Sequence, residues 1–177
     1  MRAGVLVVLA LTAASSAAGV ASADRGNLRD ARGDAQAPWD ILSIAVDNGS
    51  RSLRIKMAYR GRLRPAHTSQ GLLANIGIDT GAPARSIYGA DFTIDMLRGS
   101  TTTPNRLHLV RGYKRASCPG LRLRVRSQPG LLSFVVPQRC LGTSAGRVRV
   151  TGHTYSPRGA ADEADYLERW GGWIARD

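Results

Sequence analysis

Cys118-Pro119-Gly120-Leu121-Arg122-Leu123-Arg124-Val125-Arg126-Ser127-Gln128-Pro129-Gly130-Leu131-Leu132-Ser133-Phe134-Val135-Val136-Pro137-Gln138-Arg139-Cys140 is the stretch that decides the fold class. From Leu121 to Arg126 apolar and basic residues alternate without a break, a period of two that fits a half-buried β-strand and no helix. Pro129-Gly130 is a turn signal, and Leu131 to Val136 reads as the returning strand, stopped by Pro137. A turn over Ser127 to Gly130 sets Val125 opposite Leu132, Leu123 opposite Phe134 and Leu121 opposite Val136. One face of the hairpin is then apolar, and Arg122, Arg124 and Arg126 share the other. The same register brings Cys118 close to Cys140, where a disulfide closes a loop worth about 3 kcal/mol in chain entropy. The rest of the chain is expected to pack around this clasped hairpin.

Both flanks carry the same kind of signal. Asp40 to Asp47 alternates through Leu42, Ile44 and Val46. Asn48-Gly49, a strong hairpin turn, leads into a strand with Leu53, Ile55, Met57 and Tyr59 on one face. Leu72 to Ile78, Phe92 to Met96 and Leu107 to Tyr113 continue the pattern. Arg147 to Gly152 is a further strand with its basic residues outward, and Arg169 to Ala175 is expected to close the fold. Asp24 to Trp39 has no period and reads as a loop or an N-terminal segment ordered on contact, and Ser156 to Asp165 as an acidic loop. No stretch sustains the apolar spacing of a long helix. Eight or nine short strands with turn residues between them predict an all-β fold, a jelly-roll-like antiparallel β-sandwich of one domain over residues 24–177.

Residues 1–23 read differently. Arg2, the apolar run Val5 to Leu11 and Ala21-Ser22-Ala23 make a signal peptide with its cleavage site. The chain is therefore expected to be exported, either secreted or associated with the cell envelope, with no transmembrane span after cleavage. An oxidising compartment favours a disulfide between the only two cysteines over a thiol site.

The net charge of +12 overstates any polyanion signal when taken as a bare count, because 23 of the 25 basic residues are arginine, the bias of a GC-rich coding sequence. Its distribution says more. Met96 to Ala161 contains no Asp or Glu but twelve Arg or Lys, and codon bias does not explain missing acids. If their strands share a sheet, Arg122, Arg124, Arg126, Arg147 and Arg149, with Arg54 and Lys56, form a flat guanidinium-rich surface suited to phosphate or carboxylate groups. Outside the cell its partners would be anionic cell-wall polymer, acidic glycan, an anionic lipid surface or stray nucleic acid. Specific nucleic-acid recognition is not expected, since no groove-reading motif occurs. Some of these arginines would instead pair with Asp162, Glu163 or Asp165.

Catalytic signatures are absent. His67, His108 and His153 are scattered, and only the carboxylates Asp79 and Asp91 suggest a pair for glycoside hydrolysis. Trp39, Trp170 and Trp173 would stack on sugars or pack the core. A non-catalytic binding module is the expectation; a small hydrolase of wall polymer or glycan, or a structural interaction module, are the alternatives.

Asp30-Ala31-Arg32-Gly33-Asp34, followed by Asp40-Ile41, resembles the opening of DOMON-like and family 9-like carbohydrate-binding β-sandwiches. It is similar in particular to small secreted actinobacterial proteins of unknown function. Ile78-Asp79-Thr80, Tyr88 with Asp91, and the run Val136-Pro137-Gln138-Arg139-Cys140-Leu141-Gly142 extend the resemblance over most of the mature chain. It implies a jelly-roll-like sandwich with a structural calcium ion (Ca2+), and no assigned activity. Asp30, Asp34 and Asp40 are the candidate oxygen ligands, spaced to wrap an ion in a glycine-containing loop. Their other reading is local turn chemistry with backbone amides. Gly81 stands where that pattern often has another Asp, which argues against a metal at Asp79.

Overall fold

The computed structural model describes residues 25–30, 33–35, 39–63, 72–81, 90–98, 106–142, 146–155, 164–167 and 170–177. The expected signal segment, His67, Tyr88, Asp162 and Glu163 lie outside them. Two antiparallel sheets form a β-sandwich. The first sheet runs, edge to edge, β1 (Arg25–Arg29), β2 (Ile41–Asn48), β3 (Ser52–Tyr59), β9 (Gly130–Pro137) and β8 (Arg122–Arg126). The second runs β11 (Ala164–Tyr166), β10 (Arg147–Tyr155), β4 (Leu72–Asp79), β5 (Phe92–Arg98), β6 (Arg106–Arg111) and β7 (Lys114–Ala116). A short β12 (Ile174–Ala175) pairs with the start of β10. The single helical turn α1 (Gln138–Leu141) follows β9 and carries Cys140.

The core is the set of inward positions that alternation selects. Leu53, Ile55 and Met57 of β3 and Leu132, Phe134 and Val136 of β9 are almost fully buried, as are Ile76, Ile78, Ile94, Val148 and Val150 of the other sheet. Gly152 of β10 also faces inward. A Cβ there would lie 2.5 Å from the Met57 Cε and 2.7 Å from the Ile44 Cδ1, so its missing side chain lets the first sheet close onto β10.

The hairpin register agrees with expectation: Val125 faces Leu132 and Leu123 faces Phe134. The disulfide joins Cys118 to Cys140 with a Cα separation of 5.5 Å. The hairpin's place in the fold does not agree. β9 is internal to the sheet, but β8 is an edge strand whose Leu123 and Val125 are only half-buried, so the core centres on β3 and β9 instead. The reason is a pairing between β3 and β9 that no local pattern announces.

Three further differences concern the ends of strands. Arg25–Arg29 is an edge strand paired residue for residue with β2, not a loop. Leu42 is an extra residue in β2: Ile41 faces Tyr59 while Ser43 faces Ala58, so Ile41 and Ile44 both enter the core and Leu42 stays half-buried. Part of the expected acidic loop is β11, whose Asp165 points inward beside Thr154.

Candidate polyanion-binding face

The outward positions of the first sheet line up in three cross-strand rows. Arg122, Val135, Arg54, Asp47 and Arg25 form the first. Arg124, Ser133, Lys56, Ala45 and Asn27 form the second, and Arg126, Leu131, Ala58, Ser43 and Arg29 the third. All seven cations are exposed, and Asp47 is the single carboxylate among them. No salt bridge joins any of the seven to a carboxylate among the described residues. Between the cations lie, apart from Asp47 and Asn27, only small or aliphatic side chains. Such a surface offers planar, two-pronged donors to phosphate or carboxylate oxygens and a positive potential to attract them.

Only part of the expected set belongs here. Arg122, Arg124 and Arg126 share the face with Arg54 and Lys56. Arg147 and Arg149 do not, because β10 lies in the other sheet. There they hold structure. The Arg149 guanidinium donates from Nε and Nη2 to the Asp79 Oδ2, both at 2.7 Å, and stacks over Trp170 and Trp173 with its carbon 5.1 and 4.9 Å from the ring centres. Arg147 lies 4.4 Å over Trp173. The other Asp79 oxygen accepts from the Gly81 amide, a tight turn made by a glycine at φ 80°. These arginines and tryptophans are therefore mutual packing partners, and Trp39 is in the core at 6 % exposure.

Periodicity alone does not reveal Arg25 and Arg29 as members of the face. The signal lies in Arg25-Gly26-Asn27-Leu28-Arg29, whose polar residues fall on one parity but whose glycine hides the apolar one. A Cβ on Gly26 would overlap the Ile174 side chain, which supplies the missing apolar contact from the C-terminal strand.

The acidic residues are also redistributed. Asp40 is fully buried; its Oδ2 accepts from the Gly33 amide at 2.9 Å and pairs with the Arg60 Nε at 3.0 Å. It locks the loop, as its turn-chemistry reading holds. Asp165 takes its place beside Asp30 and Asp34: one oxygen of each lies within 4.8 Å of the others. Burial pushes the Asp165 carboxyl up to about 6, with the Ile41 amide opposing the shift and the charges of Asp30 and Asp34 adding to it. An all-oxygen, all-anionic group of this size fits a hard divalent cation, with carbonyls and waters completing the shell.

The carboxylates suggested for hydrolysis are each engaged in local contacts. Asp79 is held by Arg149, and the Asp91 Oδ2 accepts from both the amide and the hydroxyl of Thr80, at 2.9 and 2.6 Å. Outward on the second sheet, Tyr166, His153, Asn75, Asp95 and His108 lie in one row. Burial raises the Asp95 carboxyl, with His108 and Arg115 opposing, and lowers the His153 imidazole, which shares a 3.0 Å contact with the Asn75 amide. No helix of the described residues is long and apolar enough to cross a membrane. No family model and no curated protein matches this chain.

Proposed function

We propose that this protein is an exported, non-catalytic module of the cell envelope that binds anionic wall polymer through the outer face of its first sheet. One observation carries the reading: seven exposed cations stand in register against one carboxylate, with no ion pair to quench them among the described residues. A solvated outer face needs no such excess, and like charges on neighbouring rows repel each other. A polyanion removes that repulsion and releases its own counterions, so binding is salt-dependent. The signal-peptide pattern and the resemblance to secreted sandwiches support the location.

The test is a pull-down of oxidised residues 24–177 on purified cell wall, intact or stripped of its anionic polymers, across a salt series. The expected result is retention on intact wall that falls steeply with salt and is lost on stripping. Equal, salt-insensitive retention on stripped wall would overturn the reading in favour of neutral glycan. No retention on either would leave the face as a solvated surface.

A second proposal rests on the carboxylate group. Asp30, Asp34 and Asp165 would hold a structural calcium ion where β1, the following loop and β11 meet. Bound calcium supplies two positive charges that offset the mutual repulsion of the carboxylates. Chelator should lower the melting temperature and calcium restore it; a melt indifferent to both would remove the ion.

A further inference from the structure

Resting on the polyanion reading, we infer that the ligand is a slender, linear phosphodiester polymer that runs along β9 in a cationic trough. The rows define where the cations stand, and they are not spread evenly. Arg122, Arg124 and Arg126 on β8 make one wall, and Arg54 and Lys56 on β3 make the other. The floor is the outward side of β9, with uncharged Ser133 at its centre between Arg124 and Lys56. Two strand spacings separate the walls, about 10 Å between backbones, and cations recur every second residue, about 6.7 Å along each wall.

The neighbouring trough over β2 is different. Its walls are β3 and β1, and Asp47 stands in it between Arg54 and Arg25, while Asn27 replaces a cation in the middle row. A polyanion that follows charge would therefore choose β9. The half-buried floor residues Leu131, Ser133 and Val135 leave room for a single chain, and the two aliphatic ones suit the carbon segments between phosphates. The sheet twists by roughly 20–25° per strand. A flexible polymer follows that twist, whereas a planar lipid surface or a stiff duplex touches only the outermost cations. The geometry thus favours phosphates spaced along one flexible strand.

Two charge-matched double variants separate the trough from the face as a whole. Arg124→Ser with Lys56→Ser removes the cations flanking Ser133; Arg25→Ser with Arg29→Ser removes two outside the trough. Binding of purified glycerol-phosphate polymer, of a short oligothymidylate and of phosphatidylglycerol vesicles is measured for each by titration at low and moderate salt. Each exposed contact is worth a factor of about three, so the trough pair should weaken binding to both polymers roughly tenfold and the outer pair less than about twofold. The salt dependence of polymer binding should also become shallower by about 1.4 in log–log slope for the trough pair alone. Ser133→Glu, which places a carboxylate on the floor, should act like the trough pair.

Equal losses for the two pairs, or vesicles bound as tightly as polymer, would overturn the trough while leaving polyanion binding intact. Wild-type protein that binds none of the three probes at low salt would overturn both readings. Because the double variants change only exposed side chains, a melting temperature no lower than that of wild type shows that lost binding is not lost folding.

Discussion

The two outer faces of this sandwich are built from strands with the same alternation, and both carry outward arginines, yet the arginines of β8 and those of β10 are used in opposite ways. On the first sheet the cations stand apart over small residues with no carboxylate partner among the described residues. On the second, Arg149 is tied to Asp79 and layered with Trp170 and Trp173, and Arg147 covers Trp173. A cation already paired and stacked contributes to stability. One held away from counter-charge costs some stability and remains available to a ligand. Charge counted along the chain cannot tell these apart, because the continuous basic block from Met96 to Ala161 is divided between both faces.

The contrast can be broken in order of effect. The largest change should come from replacing both cysteines with serine, at about 3 kcal/mol in denaturant unfolding. Hydrogen exchange should place the loosening at β8, which the disulfide ties to α1 beside the internal strand β9. Exchange that rises equally on β10 would show that the bond supports both sheets. Next, Arg149→Met should cost about 2 kcal/mol, since it strands the Asp79 carboxylate at 5 % exposure and removes a cation over two indoles. Arg124→Ser should change stability by no more than about 0.5 kcal/mol, and in low salt the change should be a gain. Two losses of equal size would erase the distinction between the faces.

A pH series sharpens a third region, the acidic group beneath β2. The folded-state value of Asp165, raised to about 6, lies above its unfolded value near 4. The folded protein therefore binds the proton more tightly. In chelator this group favours folding below pH 4, and that contribution is lost as pH rises from 4 to 6. Asp165→Asn keeps an acceptor for the Ile41 amide and should flatten that part of the profile while abolishing any response to calcium. A profile unchanged by the substitution would assign the pH dependence to other groups.

Much of the architecture was legible because strand facing is a local property. Leu123, Val125, Leu132 and Phe134 announce both their strand and their register through alternation and one turn. Sheet membership is not local. β3 meets β9 and β4 meets β10 across long stretches of chain, so Arg124 and Arg149 look alike in sequence and end on different layers. The same limit explains the acids. Asp30 and Asp34 are near neighbours and recognisable as a pair, but their companion Asp165 arrives on a strand 124 residues beyond its hydrogen-bond partner Ile41. Asp40, close in sequence, instead answers a backbone amide and Arg60. Leu42 shows the smallest version of the problem: a one-residue bulge reverses facing without any glycine or proline to mark it.

Among the described residues no strand pairs with the outer edge of β1 or of β8, and each carries arginine at both ends of its outward row. An exposed strand margin offers unpaired amides and carbonyls to any other strand, including that of another copy. Here the approach of a second copy would bring guanidinium against guanidinium. The side chains proposed to capture ligand would thus also keep the molecules apart, so that resistance to self-association and the proposed binding would draw on the same charges. Removing those charges by substitution exposes both margins to self-association.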